Sequence, residues 1–90
     1  MFRYKAGIKV SYARQGYIYF ISLRFAELKD RQQEKIRKLC RRCGGENSEA
    51  LFAAVTTETS DDLLCCKYFI SKSTLYRMKR KYYEEFPKDL

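Results

Sequence analysis

Two groups of residues in this 90-residue chain have chemistry to offer: four cysteines, and a run of hydroxyl and basic side chains near the C-terminus. Histidine is absent, which removes the commonest general base and the commonest neutral metal ligand. Neither a Gly-rich phosphate loop nor a nucleophile elbow is present. The acids of residues 46–62 do not follow the spacing of a calcium loop; helix-start stabilisation and solubility are their simpler role. Cys40-Arg41-Arg42-Cys43-Gly44 has the spacing of one half of a zinc knuckle, and Cys65-Cys66 would have to supply the rest. Adjacent cysteines rarely point at one ion. Cys40 and Cys43 also continue an apolar stripe begun by Ile36 and Leu39, so packing as small hydrophobes is the preferred reading. A redox pair lacks its usual strand–helix context. No catalytic residue, cofactor or metal site is expected.

The second group is Ser71, Lys72, Ser73, Thr74, Tyr76, Arg77, Lys79, Arg80 and Lys81. On a helix, the face opposite Leu75 and Met78 carries Ser73, Arg77 and Arg80, flanked by Tyr76 and Lys81. Arginine bonds guanine O6 and N7 with two parallel N–H groups, and hydroxyls bond bases or phosphates. Ser73, Tyr76 and Arg77 are the candidate base readers, with Arg80 at the margin. Lys72, Lys79 and Lys81 are candidate phosphate contacts, which position a protein without specifying sequence. Glu84 and Glu85 would repel phosphate, so groove contact should end before them.

Charge is distributed in keeping with a polyanion partner. The formal net charge is +8. Residues 1–45 hold twelve Lys/Arg against three acids, residues 63–90 hold seven against three, and residues 46–62 hold five acids and no base. Fourteen aromatic rings, eight Tyr and six Phe, allow a small core without disulfide staples. No apolar run approaches a membrane span, and Arg3, Lys5 and Lys9 interrupt any signal-like stretch. A cytoplasmic location, with reduced cysteines, is the expectation.

The elements that must position these residues read as an all-α domain. Residues 2–12 alternate apolar and polar, as a strand does. Tyr17, Tyr19, Ile21, Leu23 and Phe25 also alternate, which admits a β-hairpin across Ala13–Gly16. Ile18, Phe20, Ile21 and Phe25 equally form a helical stripe. Periodicity leaves both open; the adopted reading is a helix over 15–27 after an extended or disordered segment 1–14. Asp30, with Gln33 three residues on, can open a helix carrying Ile36, Leu39, Cys40 and Cys43 inward. Gly44-Gly45 should end it. Asn47 or Ser48 starts the next helix, with Ala50, Leu51, Ala54 and Val55 inward. Thr56–Thr59 is a poor helix interior and reads as a connection. Thr59 or Ser60 can cap a short helix from Asp61 to Tyr68. Residues 15–57 thus form a helical support for a motif over 59–86.

Within that motif the spacing is specific. Cys65 is small enough for a close helix crossing, a turn follows four residues later at Phe69, and Ile70 plugs beneath it. Ser71 caps a second helix of about 72–84, and Leu75 packs back, followed by Met78 and Tyr82. This is the pattern of a helix-turn-helix. The run from Tyr68 to Arg77, continuing through Lys81-Tyr82-Tyr83-Glu84-Glu85-Phe86-Pro87, resembles small phage-type transcriptional regulators, whose helix-turn-helix is similar to region four of sigma factors. Gly16–Phe20 and Ile36–Cys40 fit the same likeness, which covers residues 15–90. The resemblance implies an all-helical fold and a role at phage or prophage promoters. It also places Ser71–Thr74 and Arg77 on the DNA-facing helix. Cys65 stands where alanine is usual, and Phe69 where glycine is common.

The expectation is therefore a sequence-specific regulator of transcription, not an enzyme, reading the major groove of double-stranded DNA as a homodimer. Its aromatic segment Tyr17–Phe20 would serve dimerisation, contact with RNA polymerase, or core packing. The rival reading is a protein-interaction adaptor whose basic face meets an acidic partner.

Overall fold

The computed structural model describes residues 7–90, which form five α-helices and, among the described residues, no strand. These are α1 (Tyr12–Leu23), α2 (Asp30–Gly44), α3 (Ser48–Thr56), α4 (Asp61–Tyr68) and α5 (Lys72–Glu85). Short 3₁₀ turns join α1 to α2 at Phe25–Glu27 and α2 to α3 at Gly45–Asn47. No helix among the described residues is long and apolar enough to cross a membrane.

The ambiguous stretch is a helix, and the hairpin is excluded because residues 17–23 lie inside α1. It opens at Tyr12 rather than at residue 15, for a local reason. Ser11 is extended (φ −61°, ψ 158°) and its side chain accepts the Arg14 amide, satisfying one of the donors that a helix start leaves without a partner. The alternating residues Phe2, Tyr4 and Ala6 lie outside the described residues. Of the aromatic segment, Ile18 is in the core, Tyr19 is half-buried, and Tyr17 and Phe20 are exposed.

The start of α2 is also set one residue earlier than Asp30. Lys29 takes the extended cap conformation (φ −69°, ψ 153°), and its amide donates to Gln32 Oε1 at 3.1 Å. Gln33 is used elsewhere, donating to the Phe25 carbonyl at 2.9 Å and so tying the preceding turn to the helix. At the other end Gly45 has φ 54°, a backbone that glycine adopts without a Cβ clash. Ile36, Leu39, Cys40 and Cys43 are all buried on one face of α2.

That face packs on α3 and α5, while α4 packs on α3 and α5 in turn. Ala50, Leu51 and Val55 of α3 are buried against it, with Ala54 half-buried. Thr56 and Thr57 hydroxyls donate to the Phe52 and Ala53 carbonyls, ending α3 before the Thr57–Ser60 connection. Tyr82 of α5, 0% exposed, stands at the centre, its ring edge-on to Tyr83 and Phe86. Cys40 and Cys43 are part of this core. Burial pushes the Cys40 thiol up to about 12, with Cys43 beside it, and burial raises Cys43 as well. Both are neutral packing groups at neutral pH.

The C-terminal tail is clasped rather than loose. The Arg14 guanidinium donates to the Pro87 carbonyl at 3.0 Å, Tyr17 donates to the Leu90 carbonyl, and Lys35 pairs with Asp89.

Candidate nucleic-acid interface

Helices α4 and α5 are joined by three residues, Phe69, Ile70 and Ser71. Ser60 caps α4 by accepting the Leu63 amide, and Asp61 and Asp62 occupy its first turn, where acidic side chains oppose the positive end of the helix. The other end is sharper. Phe69 is left-handed (φ 55°, ψ 46°), and the Phe69 and Ile70 amides both donate to the Cys65 carbonyl. This closes the helix as a glycine cap would. A residue with a Cβ pays roughly 1–2 kcal/mol in that conformation, and Phe69 is 93% exposed, so its ring recovers nothing by packing. Ile70 does pack on the core. Cys65 is half-buried against it, and Cys66 is exposed.

Ser71 then starts α5 with an extended backbone (φ −80°, ψ 159°), its Oγ accepting the Thr74 amide at 3.1 Å. Leu75, Met78, Tyr82 and Tyr83 form the buried stripe. At about 100° per residue, Ser73, Arg77 and Glu84 lie directly opposite Leu75, with Arg80 and Lys81 to either side. Ser73, Tyr76, Arg77, Arg80 and Lys81 are all exposed. Thr74 is half-buried and its hydroxyl is held by Ser71 and approached by an Arg77 Nη at 3.4 Å.

The cations of α5 differ in what holds them. Lys72 pairs with Asp62 at 2.6 Å, an exposed contact. Arg80 pairs with Glu84 at 3.3 Å. Lys79 stands apart from the exposed face. Its side chain is 14% exposed and its ammonium meets Asp61 at 3.1 Å, in a cleft it shares with Tyr19 and Tyr83. The helical angle explains this, because Lys79 is one turn from Leu75 and so shares its side. Arg77 and Lys81 have no acidic partner among the described residues. Glu85 is drawn away from Lys81 by Arg42 of α2, at 2.9 Å.

Residues before α1 complete the surface, and sequence reasoning missed them. Ile8 is buried in the core, holding the segment from Gly7 to Val10 against the molecule. Gly7 lies so close to Tyr76 that an added Cβ would stand 2.1 Å from the tyrosine hydroxyl. The Lys9 amide donates to Glu84 Oε2 at 3.2 Å, the same oxygen that Arg80 reaches. The Lys9 amide foremost, with Arg80, holds the Glu84 carboxyl below its ordinary range. These contacts span most of the chain, so no local pattern announces them.

Comparison of the chain with protein-family models, curated proteins and solved structures gives no match.

Proposed function

We propose that this chain is a sequence-specific DNA-binding regulator of the small phage type, with α4 and α5 as its helix-turn-helix and α5 in the major groove. The observation that carries the reading is the contrast within α5. Arg77 and Lys81, one turn apart on the exposed face, have no acidic partner among the described residues, whereas Lys72, Lys79 and Arg80 each have one. Unpaired cations beside hydroxyls on a solvent-facing helix suit a phosphate-lined groove. Ser73 and Arg77 are the base readers, with Tyr76 and Arg80 on one flank. Ser71, Thr74, Lys72 and Lys81 serve the flanking phosphates.

One helix of this length reads few base pairs, and two half-sites bound by a symmetric dimer supply the remaining affinity and specificity. Tyr17 and Phe20, exposed on α1, are the side chains offered to a second copy or to RNA polymerase.

Selection of bound sequences from a random duplex pool, followed by salt titration, tests the reading. Arg77→Ala should cost on the order of 1–3 kcal/mol and relax preference at one base position. Lys81→Ala should weaken binding on every sequence and ease the salt slope by about 1. Lys79→Ala should change neither. Weak, equal binding to all duplexes, indifferent to Arg77→Ala, would leave the adaptor reading in possession, with an acidic protein as the partner.

A further inference from the structure

Glu84 poses a problem for any polyanion on α5. It lies in line with Ser73 and Arg77 by helical angle, in the last turn of the exposed face, where its carboxylate would repel phosphate. Two groups converge on one of its oxygens, Arg80 Nε at 3.3 Å and the Lys9 amide at 3.2 Å. The amide comes from a segment placed by three separate features. Ile8 is sunk in the core, 2% exposed. Gly7 passes over the Tyr76 hydroxyl, which would have to move to admit a side chain there. The Gln15 amide group of α1 donates to the Val10 carbonyl at 2.9 Å. The segment thus runs along α5 from Tyr76 toward Glu84. The Lys9 side chain is exposed and close enough to Glu84 to act on its charge, but among the described residues it forms no ion pair within 4 Å.

We propose that the Gly7–Val10 segment is a working part of the DNA-binding surface: its backbone engages Glu84, and it sets the Lys9 ammonium beside α5 as a phosphate contact. The effect is to add a third cation to the C-terminal half of the exposed face, where the two cations of α5 are partly offset by Glu84. Arg80, Lys81 and Lys9 then surround a single carboxylate. Contact with the polyanion is extended toward Glu84, where the helix alone would have ended it. This inference rests on α5 being the groove helix, and the test separates the two claims.

The full chain and its Lys9→Ala, Gly7→Val, Arg77→Ala and Lys81→Ala variants are titrated with salt against the duplex selected from the random pool and against a short random-sequence duplex. Neutralising one phosphate adds about 0.9 to the slope of log affinity against log salt. Lys9→Ala should therefore lose about that much slope and bind about eightfold more weakly at 0.1 M salt, whatever the sequence. Gly7→Val should weaken binding by displacing the segment, and should add little in a chain carrying Tyr76→Ala, where the side chain it collides with is gone. Because Lys9 is exposed, its replacement should leave the melting temperature unchanged. An unchanged slope for Lys9→Ala, with Arg77→Ala and Lys81→Ala still harmful, overturns this inference and leaves the DNA reading standing. Tighter binding by Gly7→Val overturns it too, since the segment would then be a cover and not a contact. Indifference of all four variants removes the DNA reading itself.

Discussion

The hydroxyls of Ser22 and Tyr82 meet at 2.7 Å in the centre of the molecule, where Ser22 is 1% and Tyr82 0% exposed. The bond joins α1 to α5, so the helix that carries the proposed DNA contacts is anchored through its most buried tyrosine. A buried hydroxyl that loses its partner retains its desolvation cost, about 1–3 kcal/mol. Ser22→Ala and Tyr82→Phe should each destabilise the fold by roughly that amount. The double variant should cost clearly less than their sum, because no orphaned hydroxyl remains. Urea unfolding of the four proteins checks this. Strict additivity would mean that the hydroxyls do not depend on one another.

Phe69 should be a stabilising position to change. Its left-handed backbone costs roughly 1–2 kcal/mol, and its exposed ring gains no packing in return. Phe69→Gly relieves the backbone, less the extra freedom that glycine gains in the unfolded chain. A net gain of about 1 kcal/mol in urea unfolding is expected. Phe69→Ala keeps the Cβ and so should give little. Equal stability of the Gly and Phe proteins would show that the ring, not the backbone, decides this turn.

These cases show what was legible in the sequence. The turn at Phe69 followed from local spacing, because Cys65, Ile70, Ser71 and Leu75 each have a job within a few residues of it. The amphipathic face of α2 was equally open, since Ile36, Leu39, Cys40 and Cys43 repeat at helical spacing. Helix starts were less so: Ser11 caps α1 from inside an alternating stretch that also reads as strand, and Lys29 precedes the Asp30 that resembles a cap. Lys79 illustrates a different gap. Residue type groups it with Lys72 and Lys81, while its angle on the helix puts it beside Leu75 and within reach of Asp61. The contacts of Gly7 with Tyr76 and of Lys9 with Glu84 lie beyond any such reading, because they join distant parts of the chain.

The buried thiols and tyrosines make the fold sensitive to alkali. Burial pushes Cys40 from 9.0 up to about 12, and Tyr83 from 10.0 up to about 12. Tyr82, also buried, is raised as well. For each group the folded value lies above the unfolded one, so the unfolded chain gives up its proton first. The stability this confers is whole below the unfolded values and is lost as pH rises toward the folded ones. The urea midpoint, measured with reductant present, should therefore hold to about pH 8 and fall steadily between about pH 9 and 12. Cys40→Val removes one titrating group while keeping an apolar side chain in the core, so its midpoint should fall less steeply over the same range. A midpoint that is flat to pH 11, or a Cys40→Val slope matching that of the unaltered chain, would mean that these groups titrate alike in the folded and unfolded states.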